Sequence, residues 1–268
     1  MQTVVLPPEI LDLIFSFLDN EPSTWSILEA CSETTRNPLL RGVVDRRLYA
    51  YIVVTNYKSH KLPGQFYHSD LFQYLTSNPQ VANYIRTLQI QIQIPGPKRW
   101  YDQLISILRR LPSSLKGISL SSRPKAKVSR IKPVTWTLLH GPFRKAFLEC
   151  LWSPNLTDAS MRWIEGVPLS IFNRCAKLQR ISLRQVNYTS STSAQFPPQI
   201  STLNIDQSRD LPEILSWAEM GHKLHTLSFR SECGNHYPLL PKLFQSYSDS
   251  LIKLELDFAA FCMFCFHL

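Results

Sequence analysis

Leu178-Gln179-Arg180-Ile181-Ser182-Leu183 returns as Ile200-Ser201-Thr202-Leu203-Asn204-Ile205 and again as Leu224-His225-Thr226-Leu227-Ser228-Phe229. Each hexad reads apolar-x-x-apolar-x-apolar, and its last two apolar residues are two apart, the spacing that puts side chains on one face of a strand. The pattern also stands at Ile85-Leu88-Ile90, Leu115-Ile118-Leu120 and Leu251-Leu254-Leu256, and more weakly at Leu156-Ala159-Met161. With 44% hydrophobic residues a single copy carries little. Spacing carries the reading: Ile181, Leu203, Leu227 and Leu254 follow one another at intervals of 22, 24 and 27 residues.

Helix-like segments precede most copies: Asp70 to Thr76, Tyr101 to Leu111, Pro142 to Trp152, Leu169 to Cys175, Leu211 to Met220 and Leu239 to Tyr247. Alternation of strand and helix at this period predicts an α/β chain, and the period resembles that of leucine-rich repeats. The resemblance implies a solenoid, a curved parallel sheet with outer helices, in which each unit buries its apolar triplet only against its neighbours. Regular repeats place Asn or Cys three residues after the last apolar position. Here those positions hold Gln93, Arg123, Val186, Ser208, Glu232 and Ala259, so an irregular solenoid is expected.

Residues between the apolar positions fall on the other face of the predicted sheet. Arg86, Gln89, Lys116, Arg180, Ser182, Asn204, His225, Ser228, Lys253 and Glu255 are therefore the candidate substrate-binding residues.

Composition narrows the function classes. The 268 residues include 11% aromatic and 18% charged, enough to bury a substantial core. The formal net charge of +9 is local. Lys98, Arg99, Arg109, Arg110, Lys116, Arg123, Lys125, Lys127, Arg130 and Lys132 face only Asp102 within their own stretch. With Trp100, Tyr101 and Trp136 nearby, that basic 98–132 segment is suited to an acidic protein or a nucleic acid, although no nucleic-acid motif accompanies it.

Catalytic devices are missing from the sequence. It has no Gly-x-Ser-x-Gly elbow, no phosphate-cradling glycine loop and no His-Glu-x-x-His, so neither enzymatic activity nor a cofactor is expected. Six cysteines are scattered without a disulfide framework, which fits a cytoplasmic or nuclear setting. Cys262-x-x-Cys265 with His267 mimics a zinc motif, but it lacks a fourth ligand and Met263 and Phe264 sit in an apolar run, so no metal is expected. The triplets at Asn155 and Asn187 carry no weight without a secretory route.

The N-terminus adds a second module. Leu6-Pro7-Pro8-Glu9-Ile10-Leu11-Asp12-Leu13-Ile14-Phe15-Ser16-Phe17-Leu18 reads as a helix opened by prolines, with Glu9 at the positive end of its dipole. Its apolar arc of roughly 200° is about twice what a surface helix needs, which implies a partner. No Lys or Arg precedes Arg36, and the apolar run is too short to span a bilayer, so neither a secretory leader nor a membrane partner is expected.

Together with Leu28-Glu29-Ala30-Cys31-Ser32 and Arg36, this stretch resembles an F-box. The resemblance implies a three-helix module that docks on the Skp adaptor of a Skp-cullin-F-box ubiquitin ligase, with the repeat region holding a protein substrate. Leu6, Pro7, Pro8, Glu9, Ile10, Leu11, Ile14, Phe15, Leu18, Leu28 and Cys31 would contact the adaptor. The second half departs from the family pattern: Pro38 stands where a tryptophan is usual, and proline there is expected to end a helix.

The expected organisation is an F-box-like module over 1–55, a linker over 56–69, the repeat region over 70–257 and an apolar tail over 258–268. For the tail, a truncated product, a docking segment and a packed final element all stay open. The alternative to the ligase adaptor is a non-catalytic scaffold that binds through the basic segment.

Overall fold

The computed structural model describes residues 10, 38–57, 65–93, 98–111, 115–122, 133–186, 188–189, 199–206, 224–231, 241, 245 and 247–258. Helix α1 (Pro38–Leu48) leads into strands β1 (Tyr51–Thr55) and β2 (Gln65–Tyr67), then α2 (His68–Ser77), β3 (Thr87–Ile92), α3 (Lys98–Arg110), β4 (Gly117–Ser122) and β5 (Val134–Thr135). There follow α4 (Gly141–Leu151), β6 (Asp158–Arg162), β7 (Ile164–Glu165), β8 (Val167–Pro168), β9 (Arg180–Arg184), β10 (Tyr188–Thr189), β11 (Thr202–Asp206), β12 (Thr226–Ser231) and β13 (Lys253–Phe258).

Nine of these strands form one sheet in the order β13-β12-β11-β9-β6-β4-β3-β1-β2, with every pairing parallel. The fold is α/β. All seven sequence triplets supply a strand, and their middle and last apolar residues lie in unbroken register. Ile52, Leu88, Ile118, Ala159, Ile181, Leu203, Leu227 and Leu254 make one row across the sheet. Val54, Ile90, Leu120, Met161, Leu183, Ile205, Phe229 and Leu256 make the next. Both rows are buried as far as β12.

The register is fixed at the N-terminal rim as well. The carbonyls of Ala50, Arg86, Lys116, Thr157, Gln179, Ser201 and His225 each accept two successive backbone amides of the next unit, at 2.8–3.0 Å. Two residues facing one carbonyl is the geometry of a bulge, and its recurrence gives every strand the same entry.

The sheet takes in two stretches that the pattern places elsewhere. Tyr51–Thr55, assigned above to the N-terminal module, pairs in full with β3, and Gln65–Tyr67, assigned to the linker, is the edge strand beside β1. Tyr49-x-x-Ile52-x-Val54 is in fact a further copy of the hexad, with a buried tyrosine in its first apolar place. Pro38 opens α1, where the first turn has no use for its missing N–H, and the residues before it lie outside the described ones.

Helices α2, α3 and α4 pack against one another in sequence. In α3, Trp100, Tyr101, Leu104, Ile105, Ile107 and Leu108 are buried at helical spacing, and they belong to the same core cluster as the sheet rows. An aromatic chain crosses the layer: His68 to Trp100 at 6.3 Å between ring centroids, Trp100 to Phe143 at 6.2 Å, Phe143 to Phe147 at 6.3 Å and Phe147 to Trp136 at 6.1 Å. After β6 the connection is short, and Leu169–Arg174 forms a 3-10 helix that still buries Leu169, Ile171 and Phe172. The segment 207–223, with its helix-like stretch Leu211 to Met220, lies outside the described residues.

Because Ile181 is fully buried in the middle of the first row, Ile181→Ala should lower the free energy of unfolding by about 2–5 kcal/mol in urea titration. Ile252→Ala, at a position 83% exposed, should change it by less than about 0.5 kcal/mol.

His68 Nδ1 lies 2.7 Å from Gln103 Oε1, and burial holds the imidazole below its ordinary pKa of 6.5, with Gln103 and Asp70 opposing and Arg99 reinforcing that shift. The unfolded chain therefore binds the proton more readily, and stability falls as pH drops through about 6.5. Melting temperature should decline between pH 7.5 and 5.5, and His68→Gln should flatten that decline.

Candidate partner-binding face

Opposite the buried rows, the alternate residues of the same strands form a polar face, and the register sorts them into three lines. One runs Tyr51, Thr87, Gly117, Asp158, Arg180, Thr202, Thr226, Lys253. The next runs Val53, Gln89, Ser119, Ser160, Ser182, Asn204, Ser228, Glu255. The third runs Thr55, Gln91, Ser121, Arg162, Arg184, Asp206, Arg230, Asp257. Neighbours along each line are one strand spacing apart, about 4.8 Å.

Five of the candidate substrate-binding residues, Gln89, Ser182, Asn204, Ser228 and Glu255, share the middle line, and Arg180 and Lys253 share the first. Arg86, Lys116 and His225 do not join them. They sit one residue before β3, β4 and β12, exposed on the N-terminal rim where their carbonyls carry the bulge ladder. The hexad's two residues between its first and second apolar positions are thus not equivalent, since only the second of them enters the strand.

Charges on this face are matched across strands. Arg180 pairs with Asp158, Arg184 Nε lies 2.7 Å from Asp206 Oδ2, and Arg230 Nε lies 3.2 Å from Asp257 Oδ2; each pair joins register partners. Lys253 Nζ reaches Glu255 Oε1 at 2.7 Å along β13. The bond to Asp158 raises the pKa of Arg180, and the bond from Lys253, followed by its charge, holds Glu255 below the usual carboxylate range. At the β1 end the face is hydrogen-bonded but uncharged. Tyr51 Oη donates to Gln89 Oε1, and Tyr57 Oη donates to Gln91 Oε1 at 2.6 Å.

The C-terminal rim is shaped by two left-handed residues that the sequence does not announce. Trp163 (φ 62°) and Gln185 (φ 51°) follow β6 and β9 at equivalent positions, and each donates its N–H to the neighbouring strand, to Arg184 O at 2.9 Å and Asp206 O at 2.7 Å. Non-glycine residues rarely adopt this conformation, and the cross-strand bond holds them in it. On the first line Gly117 allows a close approach: a Cβ there would lie 3.1 Å from Thr87 Cγ2 and Oγ1, so the Thr87 side chain would have to give by a few tenths of an ångström.

Of the candidate adaptor contacts, Ile10 is helical and exposed. Leu6, Pro7, Pro8, Glu9, Leu11, Ile14, Phe15, Leu18, Leu28 and Cys31 lie outside the described residues, as do 123–132 of the basic segment and the Cys262, Cys265 and His267 group. Lys98 and Arg99 stand at one end of α3 and Arg109 and Arg110 at the other, about 18 Å apart. Arg110 is already engaged, 2.8 Å from Thr76 Oγ1 and over the Phe72 ring. Among the described residues no group of His, Cys, Asp and Glu is placed to hold a metal ion, and no helix is long and apolar enough to cross a membrane.

Cys150 and Cys175 are free thiols, both pushed up to about 12 by burial. Thiolates react and thiols do not. In the folded protein at pH 8 both should resist a disulfide-exchange reagent for as long as the fold persists, and both should react at once in denaturant.

Comparison with protein-family models, with curated proteins and with solved structures found no match to this chain.

Proposed function

We propose that this chain is a non-catalytic recognition protein that holds a protein partner on the polar face of its sheet and docks through its N-terminal segment on the Skp adaptor of a ubiquitin ligase. The observation that carries the first half is the face itself: three in-register polar lines over eight strands, backed by two buried apolar rows. A side chain placed on such a face is positioned by the sheet and not by a loop, so it loses little freedom on binding.

The stack of strand units, with helices α2 to α4 packed side by side in the same core, supports an irregular leucine-rich-repeat-like solenoid as its architecture. The second half rests on the F-box resemblance of Leu6 to Leu18 with Leu28 and Cys31, and on the width of the apolar arc there. Mechanism is then proximity. The chain does no chemistry of its own and raises the effective concentration of a target's lysines near the transfer machinery. The basic 98–132 segment offers the rival scaffold reading, but of its described cations four are divided between the two ends of α3, Lys116 stands apart on the rim before β4, and Arg110 is engaged within the fold.

Purified chain should retain the Skp adaptor on a column, and an Ile14→Asp, Leu18→Asp double variant with unchanged melting temperature should not. Apolar docking should be nearly indifferent to salt between 0.1 and 0.5 M, whereas binding through the basic segment would weaken steeply over that range. Folded wild type that fails to retain the adaptor would overturn the ligase reading and leave the polar face as a recognition surface of other use.

A further inference from the structure

The described strands place five cations and four anions on the polar face: Arg162, Arg180, Arg184, Arg230 and Lys253 against Asp158, Asp206, Glu255 and Asp257. Four ion pairs consume all four carboxylates. Arg162 is the cation left over. Its register partners are Ser121 on β4 and Arg184 on β9, so neither neighbouring strand offers it an acid, and Asp206, one strand further, is committed to Arg184.

We infer that Arg162 is the anchor for a single Asp or Glu carboxylate of the partner protein, seated against Arg162 and Arg184 where the two middle strands of the face reach its C-terminal rim. The proposal rests on the reading of this face as the partner-binding surface and names the chemistry of what binds. Charge complementarity favours one carboxylate over a phosphate. The cluster of Arg162, Arg184 and Asp206 carries one excess positive charge, which a carboxylate neutralises, whereas a dianionic phosphate would overshoot it beside Asp206.

Geometry favours the same occupant. A guanidinium presents a planar fork that matches a carboxylate with two parallel hydrogen bonds. Arg162 is exposed, Ser160 and Ser182 beside it are short and half-buried, and Ser121, its register partner on β4, is short and buried, so these serines add no long side chain beside the guanidinium. Partial burial, and after it the adjacent Arg184, disfavour the charged form of Arg162 in the free protein, with Asp206 opposing, and an added carboxylate would offset the Arg184 contribution.

The test uses random dodecapeptides displayed on phage, selected against the full chain. Ser182→Trp, checked for an unchanged melting temperature, blocks the middle of the face and identifies which selected peptides bind there. Those peptides should share one Asp or Glu, and a synthetic peptide with that residue changed to Asn or Gln should bind wild type roughly ten- to hundred-fold more weakly. Arg162→Gln should bind the acidic and amide peptides alike, Arg162→Lys should lose only part of the preference, and Arg46→Gln, a charge removed from α1, should behave as wild type.

Face-binding peptides with no acidic residue in common, a preference for phosphoserine over Asp, or an acidic preference that Arg162→Gln retains would each overturn the carboxylate anchor while leaving the face as a binding surface. If none of the selected peptides is displaced by Ser182→Trp, the reading of the face falls and this inference with it. The peptide substitutions on wild-type protein remain decisive even if an Arg162 variant does not fold.

Discussion

Two apolar rows, Ile52 to Leu254 and Val54 to Leu256, have to stay in line across eight strands, because the side-chain period of a strand is two and a slip of one residue would turn a buried row out to water. Parallel pairing gives no hairpin turn to set that alignment. The bulge ladder supplies it: each unit enters its strand with two amides on one carbonyl of the unit before, so the place where pairing begins is repeated from Ala50 to His225. Burial and backbone bonding thus specify one register by independent means.

The polar face is the other side of the same constraint. Once the apolar rows are aligned, the residues between them are aligned too, and partners that are 22 or more residues apart in sequence meet across one strand spacing, as Asp158 and Arg180 do. Exposed pairs of this kind contribute at most about 1 kcal/mol each, so stability is not what they explain. Their effect is on the electrostatics of the surface. They neutralise it almost everywhere and leave a positive excess at Arg162, which gives an otherwise hydroxyl- and amide-lined sheet one point of orientation for a partner.

Much of this was legible in the sequence, and the rest was hidden for identifiable reasons. A hexad is a local signal, so all seven triplets could be found without knowing the fold. The copy at Tyr49, Ile52 and Val54 was concealed by its tyrosine and by its nearness to the N-terminal module. Gln65–Tyr67 is too short to show an alternation at all. Gln89, Ser182, Asn204 and Ser228 follow from period two alone. The importance of Arg162 does not, because it depends on which residues stand beside it on β4 and β9, a relation that exists only after the strands are in register. Trp163 and Gln185 show why turn chemistry is equally opaque: a cross-strand hydrogen bond, not a glycine, holds each in the left-handed region.

The claim that the polar face is where a partner is held can be tested most directly by placing a photo-crosslinking amino acid at Ser182, in the middle line, and separately at Leu138, which is 76% exposed and lies outside the nine-stranded sheet. Irradiation in cells should give discrete protein adducts from position 182 and none, or only diffuse background, from position 138. Equal labelling at both positions, or discrete adducts from 138 alone, would contradict the account.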